Sequence, residues 1–226
     1  MYSTDVLVAA AMNSGSMMTG PIILGMNLGA FLMVVSGIFY LICALFIWKT
    51  VRKEKNELLN ALFAFLMYQA IGMFFMGLNM HTMNATQGYI ASLAVFIGSA
   101  YMLKFPFASF SSSVRKVVFY LSIAIVIGLF AWFMTTPVRQ MALMNFTLWY
   151  DIIVNGLVVG GSIIIFGLAA KERMSRIKSL GGGTGVVSCC VIANSAMLGG
   201  AIIISSVFQF LAPVVILATL AINRRS

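Results

Sequence analysis

Residues 185–222 read GVVSCCVIANSAMLGGAIIISSVFQFLAPVVILATLAI, a run of 38 residues without one charged side chain. As a single straight helix it would be about 57 Å long at 1.5 Å per residue, against a hydrocarbon core of about 30 Å. The run must therefore turn. Gly199-Gly200 and the Ser205-Ser206 pair are the expected corners, and Pro213 kinks the helix beyond them. The expected result is two spans, over 185–205 and 206–222, with a re-entrant segment as the rival. The number of membrane crossings depends on this stretch.

Upstream, five more stretches approach the roughly 20 apolar residues that a helical span requires. They cover 28–48, 58–79, 88–104, 116–134 and 147–170. Composition agrees: of 226 residues, 62% are hydrophobic and 8% charged, and the mean hydropathy is +1.04. A soluble domain carries about a quarter charged residues, so soluble enzymes, nucleic-acid readers and disordered tails are excluded. The expected fold is all-α: a polytopic integral membrane protein, a seven-transmembrane-helix bundle with its N-terminus outside and its C-terminus cytoplasmic. Residues 28–222 form the single membrane domain, 1–27 an outer-side segment with a surface-lying helix over Thr4–Met12, and 223–226 a short tail.

Charge placement orients the chain. Lys49, Arg52, Lys53 and Lys55 follow the first span, and Lys104, Arg115 and Lys116 separate the third from the fourth. Lys171, Arg173, Arg176 and Lys178 follow the fifth, and Arg224 and Arg225 come last. With seven spans, thirteen of the 14 basic residues lie inside and only Arg139 lies outside; six spans would strand Arg224 and Arg225. Trp48, Trp132 and Trp149 then fall at span ends, where an amphipathic indole suits the headgroup region. The net charge of +9 serves topology and attraction to anionic lipid, not nucleic acid. The triplets Asn84-Ala85-Thr86 and Asn145-Phe146-Thr147 fall in expected outer loops, and the Gly-rich run 181–185 reads as a hinge. The expected location is the plasma or cytoplasmic membrane.

Few residues offer chemistry. Cys43, Cys189 and Cys190 sit at membrane depth as small apolar side chains. His81 is the only histidine, so bis-histidine haem has no ligand pair. A seven-helix bundle invites comparison with retinal proteins, but the last span holds no lysine for a Schiff base. Asp151 is the best intramembrane candidate, expected about one turn into the fifth span from outside. It draws a polar stripe with Asn155 and Ser162, and it either meets water or Arg139 at the interface or serves as a solute or proton site. Gly156, Gly160 and Gly167 line the other side of that helix as a close-packing seam. Gln69, Asn194 and Gln209 are expected to hydrogen-bond between helices.

Methionine is over-represented, with 17 residues, and apart from Met1 thirteen of the remaining sixteen fall in the outer half. On span two, Met73, Met76, Met80 and Met83 fall within an arc of about 80° on a helical wheel, with His81 at the outer mouth. Thioether sulfur and imidazole suit Cu(I), whereas methionine as an adaptable apolar filler suits packing. No nucleophile-base pair, enzyme-like metal cluster or cofactor motif occurs, so no enzyme is expected. The leading expectation is a non-catalytic accessory or structural subunit, with the lipid bilayer, membrane-protein partners or a second copy around it. The alternatives are a permease or delivery protein for Cu(I) or another soft or apolar solute, and a receptor-like sensor without retinal.

Overall fold

The computed structural model describes residues 21–54, 57–104, 107, 111–169, 192 and 201–223. A two-residue hairpin, β1 (Ile22–Ile23) and β2 (Met26–Asn27), precedes six helices: α1 Leu28–Glu54, α2 Glu57–Thr82, α3 Ala85–Met102, α4 Ser112–Phe133, α5 Pro137–Ala169 and α6 Ile202–Asn223. Among the described residues three segments are long and apolar enough to cross a membrane, Leu28–Trp48, Asn60–Thr82 and Ser112–Phe133. The chain is thus a helical protein with transmembrane helices. The expected Thr4–Met12 helix and most of the expected 185–205 span lie outside the described residues.

Local chemistry sets the helix ends. Leu24 and Gly25 both take left-handed backbone angles in the hairpin turn, the signature of a two-residue turn that matches strand twist. Asn27 then caps α1, its Oδ1 accepting from Ala30 N at 2.7 Å. Met83, at φ +55°, ends α2, with its N–H bonded to Asn79 O at 2.8 Å. Asn84 caps α3 through Thr86 N at 2.9 Å. Thr136 opens α5, its Oγ1 accepting from Arg139 N at 3.4 Å, with Pro137 first in the helix, where its missing N–H costs nothing.

Several expectations are corrected by these ends. The Ser205-Ser206 pair is no corner, because α6 runs unbroken through it. The start of α5 lies ten residues before the apolar window at Thr147, since Arg139 and Gln140 interrupt hydropathy but not helical geometry. The triplet Asn145-Phe146-Thr147 is consequently helical rather than a loop. Met83 leaves the helical register, so the four methionines do not form one wheel face.

Helices α1, α2 and α3 alternate in direction. Across α1 and α2, a Cβ on Gly37 would stand 2.8 Å from Ala70 O, and one on Gly77 would stand 2.7 Å from Ala30 O. Between α2 and α3, Gly72 meets the Val95 side chain and Gly98 the Tyr68 Cβ. Small residues thus let backbones touch where lipid offers little hydrophobic drive for association. Tyr40, Phe65, Leu66, Met33 and Met73 fill one core shared by α1, α2, α3 and α6; Phe96, Val126, Phe133 and Leu143 fill a second between α3, α4 and α5. Helix α6 runs in the same direction as α1: the Ser206 hydroxyl donates to Gly29 O at 3.3 Å, and further on Phe39 and Phe210 meet edge to face at 5.1 Å.

Candidate functional site

Helices α3 and α5 also run in the same direction, and their contacts keep an almost constant register. The Tyr89 hydroxyl donates to Gln140 Oε1 at 3.0 Å, and ten residues along α3 the Ser99 hydroxyl donates to Asp151 Oδ1. The partners are 51 and 52 positions apart in sequence. At 1.5 Å per residue, the two rungs are separated by about 15 Å. Between them lie the buried side chains of Phe96, Leu143 and Thr147; the Thr147 hydroxyl donates to its own helix, at Leu143 O, 2.8 Å away.

Asp151 is 2% exposed and Ser99 fully buried. The interfacial carboxylate that meets water or Arg139 is therefore overturned. Arg139 instead donates to Thr135 Oγ1 at 2.7 Å and lies 4.4 Å above the Trp132 ring. Asp151 lies fourteen residues past Pro137, the first residue of α5, and faces the last turn of α3. A carboxyl group so enclosed is tolerable because its oxygen is hydrogen-bonded.

Above the upper rung a cleft of about 160 Å³ is lined by Asn79, Ala85, Gly88, Tyr89, Ser92, Gln140, Met141 and Leu143. It lies where α2 ends and α3 and α5 begin. Gln140 is held at both ends, accepting from Tyr89 and donating from Nε2 to Met134 O at 3.2 Å.

The methionine stripe divides. Met73 belongs to the first core and Met76 is buried, Met80 packs half-buried against that core, and His81 and Met83 are exposed at the end of α2. Among the described residues no three of His, Cys, Asp and Glu gather as metal ligands. Gln69 and Gln209 are both buried. Asn155 lies on α5 one turn beyond Asp151, while Asn194 falls outside the described residues. Gly156 is exposed, and a Cβ there would meet nothing within 4 Å of the described residues. Gly160 and Gly167 continue along α5; the described close approaches lie instead among α1, α2 and α3.

The opposite end of the bundle holds a cluster that the sequence reading missed. Glu57, in the first turn of α2, accepts from Arg115 Nη2 at 3.0 Å and Nε at 3.3 Å, and pairs with Lys104 Nζ at 3.4 Å. Lys104 also lies 4.4 Å over the Phe119 ring. Partial desolvation pushes the Glu57 carboxyl upward, but the Arg115 hydrogen bond and the two cationic charges outweigh it and hold it below the ordinary value of 4.5. The only signal in the sequence was an acidic residue in a helix's first turn amid basic loops.

Chemically, the α3–α5 interface offers hydrogen-bonding groups and one enclosed carboxyl group, with a small cleft at its head. Comparison of the chain with protein-family models, with curated proteins and with solved structures found no match.

Proposed function

We propose that the chain is a non-catalytic, multi-pass membrane protein that packs as a subunit within a larger membrane assembly. The observation that carries this reading is α4. Of its 22 residues only Val126 and Phe133 are buried among the described residues. Val117, Tyr120, Leu121, Ile125 and Ile127 stand exposed, and Gly128 has open space where a side chain would be. Lipid can cover such a face, but an exposed apolar surface with open space at Gly128 also lets a partner helix approach closely. The abundant methionines suit this role as adaptable packing groups.

The reading includes seven crossings, an outer N-terminus and a cytoplasmic C-terminus in the plasma or cytoplasmic membrane. Its support is the clustering of Glu57, Lys104 and Arg115 at one end of the bundle, with Arg139 at the other, and the shared direction of α1 and α6. Native purification in mild detergent tests it: stoichiometric membrane partners, or a stable homo-oligomer, are expected, and an isolated monomer at high yield contradicts it.

A second reading, passage or delivery of Cu(I) or another soft solute, is favoured by Met80, His81 and Met83 standing at one end of α2. Replacement of Met76 and Met80 by leucine should then lower bound copper, and unchanged copper binding removes this reading.

A further inference from the structure

We infer that the cleft at the head of the α3–α5 interface binds a small uncharged amide, whether or not the chain is a subunit. Its lining holds two carboxamides, a phenol and a hydroxyl, and no charged side chain. Arg139, next to Gln140 in sequence, is engaged by Thr135 and Trp132. A charged solute entering here would lose hydration without meeting an opposite charge. Tyr89 and the Gln140 oxygen are already paired, but an apolar solute would cover the Asn79 carboxamide and the second Gln140 N–H without giving them a partner. An uncharged amide presents a donor and an acceptor side by side, matching the carboxamides of Asn79 and Gln140.

The geometry is prepared for such a guest. Gln140 is fixed by Tyr89 and the Met134 carbonyl, which leaves its second N–H for a ligand. The Asn79 carboxamide forms the facing wall, packed against Gly88: its Nδ2 stands 3.2 Å from where a Cβ would be, so a side chain at position 88 would displace it. Ser92 is buried at 2% exposure, and Ala85, Met141 and Leu143 supply apolar surface. At the roughly 30 Å³ that each liquid water occupies, the volume equals about five waters. That suits a solute of similarly few heavy atoms, held in a largely preformed pocket.

The test is ligand-observed saturation-transfer NMR on the full chain in detergent micelles. Acetamide is the probe, and acetate is the charged control of nearly the same shape. Binding of acetamide but not acetate is expected, with affinity reduced at least about tenfold in Gly88→Leu, which fills the cleft, and in Gln140→Leu, which removes its fixed amide. The second variant lies on a different helix, so a folding defect in the first, read by circular dichroism, leaves the comparison intact. Absence of acetamide binding, equal binding of acetate, or unchanged affinity in folded variants overturns the inference.

Discussion

The Ser99 hydroxyl donates to the Asp151 carboxyl across two helices that run in the same direction, at a point where both side chains are shut away from the surface. This contact, with Tyr89 and Gln140 about 15 Å away along the axis, fixes how α3 and α5 lie against each other. Ser99→Ala should lower stability by roughly 1–3 kcal/mol, because it removes a donor from a buried carboxyl group. Asp151→Leu should be costly too, but the double variant should cost less than the sum. Thermal unfolding of the two single variants and the double variant measures that coupling; strict additivity contradicts a direct interaction.

Met83 holds a left-handed backbone angle of +55° that a side chain disfavours. Met83→Gly should therefore raise stability by roughly 1 kcal/mol, read as a higher melting temperature, whereas Met83→Val should lower it. A drop on Met83→Gly would mean that the thioether makes a stabilising contact of its own.

Close packing gives a contrast between glycines. Gly77→Leu places atoms into the α1 backbone, 2.7 Å away at Ala30 O, and should destabilise by at least roughly 1–3 kcal/mol. Gly128→Ala meets open space within the chain and should change the monomer's stability little or raise it, since alanine is the better helix former. Unfolding of both in detergent decides whether the tight seam lies between α1 and α2.

The Glu57 cluster sets a pH dependence. The folded carboxyl titrates below its ordinary value, so its contribution to stability is fully present above that value and is lost as pH falls through the folded one. Glu57→Gln should lower the melting temperature at neutral pH, and the difference should shrink in acid, below the usual carboxylate range. High salt should narrow it as well. A difference that does not change with pH would show that the ion pairs with Lys104 and Arg115 contribute nothing.

Much of the helical layout is legible in composition, because a membrane span announces itself by length and apolarity: α1 to α6 overlap six of the expected windows, and among the described residues Leu28–Trp48, Asn60–Thr82 and Ser112–Phe133 are long and apolar enough to cross a membrane. The start of α5 was not legible, since Arg139 and Gln140 break a hydropathy window while stacking on Trp132 and bonding Tyr89. The hairpin was hidden because Leu24 shares its left-handed turn with a single glycine. Asp151 stood out as an intramembrane acid, but its depth and its partner depend on a register between helices some fifty residues apart. No local pattern encodes that register, and Ser99 reads as one more small residue. Glu57 was overlooked for the opposite reason: near basic loops its charge looks like part of the topology signal.

The most direct test of the subunit reading is photo-crosslinking in native membranes from a benzophenone side chain placed at Leu121 or Ile125 on α4. Ile38, exposed on α1, serves as the comparison site. The account predicts a discrete protein adduct from both α4 positions, while Ile38 yields lipid adducts alone. Lipid adducts alone from all three positions would contradict it.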